Sequence, residues 1–83
     1  MKNEMSITSK SLELFLAYAR DAGNWSGTPL VGGNVGGDVE GRGNLTQLKQ
    51  AGLLSTLPAG GNTWIYFTGS GRALAASHGI RLD

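Results

Sequence analysis

Glycine is concentrated in one part of this chain, and that concentration limits what the chain can fold into. Eight of the 14 glycines among the 83 residues lie between Gly23 and Gly43, together with Pro29. Glycine costs about 1 kcal/mol relative to alanine inside a helix, so this segment does not form a long helix. Three uses remain for it: a phosphate-binding loop, a flexible linker, or a scaffold of tight turns.

The first two uses fit the sequence poorly. Neither G-x-x-x-x-G-K-[ST] nor G-x-G-x-x-G is present, and no lysine follows Gly32-Gly33 or Gly36-Gly37 as a phosphate loop requires. A flexible linker conflicts with the need of so short a chain to pack its helices into one core. The glycines are therefore expected to form turns and close backbone contacts.

Length and composition indicate a single non-enzymatic domain, residues 1–83, with residues 1–8 expected to be flexible. The chain has no cysteine, which excludes disulfides, thiolate zinc sites and thiol catalysis. No nucleophile-base pair, carboxylate dyad or cofactor motif is visible, and His78 has no companion at metal-ligand spacing, so neither cofactor nor metal is expected. The N-terminus has no signal-like apolar segment and no apolar run is long enough for a membrane span, so a cytoplasmic location without membrane contact is expected.

The net charge of +1 is unevenly distributed. Residues 1–40 hold three cations and five carboxylates, for a sum of −2. Residues 41–82 hold Arg42, Lys49, Arg72 and Arg81 with no acidic residue, for a sum of +4, and Asp83 adds −1. A basic half favours a nucleic-acid partner, and a solvated basic surface without a ligand is the alternative.

The N-terminal half predicts one clear helix and a short strand. Residues 9–22 carry an apolar stripe at helical spacing, with Thr8 or Ser9 as a cap and Gly23 as the end. The stripe consists of Leu12, Phe15, Leu16, Ala19 and Ala22. Leu14 and Tyr18 lie beside it and are expected to widen the buried face. Thr28 to Val31 is expected to be extended, because the residue before a proline is biased toward β geometry.

The C-terminal half predicts a short helix, a hairpin and a last helix. A turn is expected at residues 38–40, and a helix over 44–51 is expected to be capped by Asn44 and closed by Gly52. Two β-prone runs flank a loop at residues 58–62, and Thr68 or Ser70 is expected to cap a helix that carries Ala73, Leu74 and Ala76. Gly79 and Ile80 match a Schellman end for that helix.

The segment Gly43 to Ile80 resembles winged helix-turn-helix domains of bacterial and phage regulators. In that family the recognition helix ends in a Leu-x-x-x-Gly-Leu step, and the wing ends in Phe/Leu-Thr-x-x-Gly before the last helix. Leu48 to Leu53 and Phe67 to Gly71 match these two steps. The resemblance implies an α+β winged helix-turn-helix fold with three helices and a two- or three-stranded β-wing. The glycine-rich segment 32–37 stands where the family has its positioning helix.

The resemblance also implies a site and a partner. Thr46, Gln47 and Gln50 would hydrogen-bond to base edges, while Arg42 and Lys49 would neutralise phosphates. The full set of expected nucleic-acid contacts is Arg42, Asn44, Thr46, Gln47, Lys49, Gln50, Asn62 and Arg72. The expected function is duplex-DNA binding, as in a phage or prophage transcription regulator. The alternative is a protein-interaction module, such as a phage-encoded inhibitor or adaptor of a host machine.

The aromatic strand leaves two interpretations open. Ile65 and Phe67 alternate with Trp64 and Tyr66, so one pair must face outward unless something covers it. Burial of Trp64 and Tyr66 under a helix is the expected state, and a stacking surface or protein contact is the alternative.

Overall fold

The computed structural model describes residues 7–24, 28–32 and 39–82. In chain order these residues form α1 (Ser9–Asp21), a 3₁₀ turn (Ala22–Asn24), α2 (Val39–Gln50), β1 (Leu54–Ala59), β2 (Asn62–Phe67) and α3 (Gly69–Ser77). The described part of the chain is thus α+β, with three α-helices and a two-stranded antiparallel sheet. Of residues 1–8, expected to be flexible, residues 1–6 lie outside the described residues, while Thr8 is hydrogen-bonded as the N-cap of α1. Of the segment 32–37, expected to replace a positioning helix, only Gly32 is described, with a φ of +80°.

Helix α1 begins as the sequence predicts. The Thr8 hydroxyl accepts a hydrogen bond from the Ser11 amide at 3.1 Å, which is the N-cap interaction. Phe15 and Ala19 from the predicted stripe are buried, and Tyr18 is buried beside them as the widened core requires. Leu12 and Leu16 are only half-buried, so the buried face is rotated from the predicted stripe. Ser11 lies at 0% exposure on the rotated face.

Helix α2 starts earlier than the sequence predicts. It begins at Val39 and runs without a break through Gly41 and Gly43, so the expected cap at Asn44 and the expected start at residue 44 are wrong. The rest of the expected helix, to residue 50, is confirmed. The end is as predicted: Gly52 has a φ of +77°, and the Leu53 amide donates to the Leu48 carbonyl in a Schellman motif.

The hairpin is tighter than the sequence predicts. Gly60 and Gly61 form a two-residue turn with φ values of +62° and +84°, the type I′ geometry that suits twisted strands. The expected five-residue loop at 58–62 is therefore wrong, and Ala59 pairs directly with Asn62. Hydrogen-bonded and non-hydrogen-bonded residue pairs alternate along antiparallel strands. Pro58 lies in a non-hydrogen-bonded pair, so its nitrogen points away from β2 and no hydrogen bond between the strands is lost.

The extended piece at residues 28–31 lies along the second edge of β2. The Val31 amide donates to the Thr63 carbonyl at 2.9 Å, and the Ile65 amide donates to the Pro29 carbonyl at 2.8 Å. Leu30 and Trp64 form the antiparallel bridge between these bonds. The strand β2 is thus paired on both edges, which confirms the predicted extended piece.

Helix α3 is capped and closed as predicted. Thr68 caps it, and Gly79 ends it with the Ile80 amide bonded to the Ala75 carbonyl at 2.9 Å. Its buried residues are Gly71 and Ala75, with Leu74 half-buried. Ala73 and Ala76 lie on this helix as predicted, and both are exposed.

The core lies between α1, α2, the inner face of the hairpin and α3. Phe15 and Phe67 meet edge to face, with ring centroids 5.7 Å apart. The buried apolar side chains packed around them are Tyr18, Ala19, Leu45, Leu48, Leu53, Leu54, Ile65 and Ala75.

Candidate nucleic-acid interface

One side of α2 presents a continuous polar stripe to solvent. Arg42, Thr46, Lys49 and Gln50 are all exposed, and their spacing of i, i+4, i+7 and i+8 puts them on one helix face. Leu45 and Leu48 occupy the opposite, buried face. These four residues are named the α2 stripe. It combines two cations with two hydrogen-bonding side chains.

Thr46 is the member of the α2 stripe with a hydrogen bond inside the helix. Its hydroxyl donates to the carbonyl oxygen of Arg42 at 3.1 Å. Such a back-bond occupies the hydroxyl proton but leaves the oxygen lone pairs as acceptors. Thr46 is therefore better placed to accept a hydrogen bond from a ligand than to donate one.

Two of the expected nucleic-acid contacts, Asn44 and Gln47, face α1 instead of solvent. The Ser11 hydroxyl donates to the Asn44 Oδ1 at 3.1 Å, and the Thr8 backbone amide donates to the Gln47 Oε1 at 2.7 Å. Both side chains are half-buried. The structure thus places Asn44 and Gln47 in the seam between α1 and α2, where they fix how α2 lies on α1.

The sequence gives no local signal for this seam. Its partners are 33 and 39 residues apart in the chain, and Ser11 reads as an ordinary polar residue of an amphipathic helix. The Thr8 hydroxyl also donates to the Ser11 hydroxyl at 3.2 Å. The Ser11 side chain is thus hydrogen-bonded both to Thr8 and to Asn44. A buried serine with satisfied hydrogen bonds is a specific link between two helices.

The other two expected contacts lie on other elements. Arg72 is exposed in the first turn of α3, one residue after Gly71, which packs against the backbone of Leu53 just beyond α2. Asn62 is exposed at the turn of the hairpin. Five residue steps of β2 separate it from Phe67, or about 17 Å at the rise of an extended strand.

The outer side of the hairpin carries an apolar face. Alternation and register put Leu57, Trp64 and Tyr66 on the side away from the core, and the bridge partner Leu30 shares that side. Leu57 is 48% exposed and Tyr66 is 42% exposed, while Trp64 and Leu30 are half-buried. These four residues are named the outer hairpin face.

This face corrects the expectation that both aromatic residues are buried. Tyr66 is open to solvent, and the Trp64 indole is held against the hairpin by a hydrogen bond from its Nε1 to the Ala59 carbonyl at 3.3 Å. Leu57 lies on this face because the two-residue turn pairs it with Trp64. The sequence predicts a longer loop, so this pairing is not expected from it.

Neither a metal cluster nor a membrane span is found in the part of the chain that the structure describes. No group of three His, Asp or Glu side chains that could hold a metal ion occurs within residues 7–24, 28–32 and 39–82. Across the same residues, no helix has both the length and the apolar character to cross a bilayer.

Comparisons with protein-family models, with curated proteins and with solved structures give no match to this chain.

Proposed function

We propose that this protein is a winged helix-turn-helix protein that binds duplex DNA through the α2 stripe. The observation that carries the proposal is the presence of Arg42, Thr46, Lys49 and Gln50 on one exposed helix face, in a stretch from residue 41 to 82 that contains no acidic residue. A helix about 10–12 Å wide fits a major groove about 12 Å wide.

The order of elements supports the winged assignment. An extended piece precedes α2 and pairs with β2, the hairpin follows α2 directly, and α3 closes the domain. In this assignment α2 is the recognition helix and the hairpin is the wing. The two sequence steps of the resemblance, at Gly52 and at Thr68, are a helix end and a helix cap.

Each residue of the α2 stripe has a distinct task in this proposal. Arg42 and Lys49 neutralise phosphates, which supplies affinity without sequence preference. Gln50 offers an amide that pairs with the N6 and N7 atoms of adenine, and Thr46 accepts a hydrogen bond at a base edge or sugar. Asn44 and Gln47 position the helix through α1.

The wing contributes little charge in this proposal. The hairpin from Leu54 to Phe67 contains no charged residue, so Asn62 at its turn offers hydrogen bonds only. Arg72 is the further cation available for a phosphate, because it lies in the first turn of α3, next to the Gly71 contact with Leu53. The affinity is therefore expected to be modest, with about three phosphate contacts at most.

Charge reversal on α2 tests the proposed surface. The double variant Arg42→Glu/Lys49→Glu is expected to bind a mixed-sequence duplex more than about tenfold more weakly than the natural chain, because two attractions become repulsions. Fluorescence anisotropy at low salt measures the affinity, and circular dichroism confirms that both substituted side chains, exposed on the helix surface, leave the fold intact.

A matched control separates the α2 stripe from net charge. The double variant Arg20→Glu/Arg81→Glu changes the net charge by the same amount at two exposed positions outside α2. It is expected to retain most of the affinity. Equal losses in the two variants would move the site away from α2, and absence of duplex binding by the natural chain would favour the protein-interaction alternative.

A further inference from the structure

The exposed side of α2 divides into two rows of different chemistry. At about 100° per residue, the helix places Arg42 and Lys49 within about 20° of each other around its axis. About 40°, 80° and 100° from Arg42 come Thr46, Gln50 and Gly43, which are all exposed. Arg42 and Lys49 are named the cationic row, and Gly43, Thr46 and Gln50 the uncharged row. A ligand that meets the cationic row with phosphates therefore meets the uncharged row with a different part of its surface.

Gly43 leaves the backbone of α2 uncovered within the uncharged row. It lies inside the helix, where glycine is less favourable than alanine. A Cβ atom at this position would have nothing within 4 Å, so packing against the described residues does not require a glycine here. Close approach of a ligand to the helix backbone does require one. The missing side chain therefore lets a ligand come closer to α2 at the uncharged row than at the cationic row.

The other two members of the uncharged row present a methyl group and an amide. The Thr46 hydroxyl donates to the Arg42 carbonyl at 3.1 Å, which turns the hydroxyl toward the helix backbone and leaves the methyl group for an outside contact. Gln50 is exposed about 6 Å farther along the helix axis. From Gly43 to Gln50 the uncharged row spans about 10.5 Å, which matches about three base pairs at 3.4 Å each.

The chemistry of the uncharged row matches the major-groove edge of an A·T pair. Adenine offers N6 as a donor and N7 as an acceptor, and the amide of glutamine pairs with both. Thymine offers a C5 methyl group, which contacts apolar groups such as the methyl group of threonine. A G·C pair is read by Arg or Lys at guanine and by Asp or Glu at cytosine, and the uncharged row contains none of these residue types.

We propose that the uncharged row reads A·T base pairs in the major groove, with the Gln50 amide on adenine and the Thr46 methyl group against the methyl group of thymine. Gly43 lets the row come close enough to the base edges for these contacts. The cationic row lies along the phosphates of one strand. This inference rests on the proposed function, because it names the class of DNA sequence that α2 prefers.

Fluorescence anisotropy with three duplexes of equal length, at one low salt concentration, tests the preference. The first duplex contains A·T pairs, the second contains G·C pairs, and the third is the first with uracil in place of thymine, which removes only the methyl groups. Because the three carry the same phosphates, differences in affinity come from the bases. The natural chain is expected to bind the A·T duplex at least about fivefold more tightly than the G·C duplex. It is expected to bind the A·T duplex about threefold more tightly than the uracil duplex.

Three variants assign the preference to the uncharged row. Thr46→Ser keeps the hydroxyl and loses the methyl group, so it is expected to bind the thymine and uracil duplexes equally. Gln50→Ala is expected to lose most of the preference for A·T over G·C. Gly43→Ala is expected to bind the A·T duplex at least about fivefold more weakly, although alanine favours the helix, and thermal unfolding confirms that the variant is folded. The matched control is Gly23→Ala, at an exposed position after α1 with nothing within 4 Å of its Cβ atom, and it is expected to bind like the natural chain.

The outcomes separate this inference from the proposed function. Equal affinity of the natural chain for the three duplexes would overturn the inference and leave duplex binding by α2 standing. A preference that survives in Thr46→Ser and Gln50→Ala, or a Gly43→Ala variant that binds as tightly as the natural chain, would also overturn the inference. Absence of binding to any duplex would overturn the proposed function and the inference with it.

Discussion

At Gly71, α3 packs against the backbone of Leu53, just beyond the end of α2. A Cβ atom at this position would collide with the carbonyl oxygen of Leu53. Next to this contact the Thr68 hydroxyl donates to the Gly52 carbonyl at 2.6 Å, and the Thr68 amide donates to the Leu53 carbonyl at 3.2 Å. The two short sequence steps, Gly52-Leu53 and Phe67 to Gly71, thus contact each other where α3 packs against the end of α2.

The variant Gly71→Ala is expected to lower the free energy of unfolding by about 2–4 kcal/mol, because the clash is with backbone that cannot rotate away. Urea denaturation followed by circular dichroism measures this change. Gly69→Ala, two residues earlier, is the control, since nothing lies within 4 Å of its Cβ position. That variant is expected to be within about 1 kcal/mol of the natural chain. Equal stability of the two variants would show that α3 is not packed on Leu53 as described.

Among the elements, those whose signals are local could be predicted from the sequence. The helix ends at Gly52 and Gly79 depend on hydrogen bonds within a few residues, and so does the cap at Thr8. The start of α2 could not be predicted, because the Asn44 oxygen that suggests a cap is bonded to Ser11 from a distant part of the chain. The buried face of α3 could not be predicted either, because its small residues form no clear apolar stripe. The close approach of Gly71 to Leu53 decides which face is buried.

The seam between α1 and α2 orients the candidate site. It consists of Ser11 with Asn44 and Thr8 with Gln47. Because α2 packs on α1 through this seam, the direction in which the α2 stripe faces depends on it. Of the eight expected nucleic-acid contacts, Asn44 and Gln47 therefore orient α2 and do not belong to its exposed surface.

A double-mutant cycle on Ser11→Ala and Asn44→Ala measures the seam. The coupling free energy is expected to be about 0.5–1.5 kcal/mol, the net value of a part-buried hydrogen bond, and the cycle cancels the higher helix propensity of alanine. A parallel cycle on Ser11→Ala and Thr46→Ala is expected to give a coupling near zero, because Thr46 is exposed and bonds only to Arg42 in its own helix. Equal coupling in the two cycles would contradict the seam.

The charged and the apolar parts of the described surface lie on different elements of the molecule. The α2 stripe holds cations and amides, whereas the hairpin has no charge and shows Leu57 and Tyr66 to solvent. The exposed cations of α2 could be predicted from helical spacing alone. The outer hairpin face could not, because it depends on the register that the two-residue turn imposes and on the bridge from Leu30.

The salt dependence of duplex binding measures how many phosphates the cations of this protein contact. With Arg42, Lys49 and Arg72 as the phosphate contacts, the logarithm of the association constant should fall with the logarithm of salt concentration at a slope of about −2.7. A rise from about 20 mM to about 200 mM salt should therefore weaken binding about 500-fold in an anisotropy titration. If the chain binds no duplex at the lowest salt, or binds it with a slope near zero, the α2 stripe is not a DNA-binding surface.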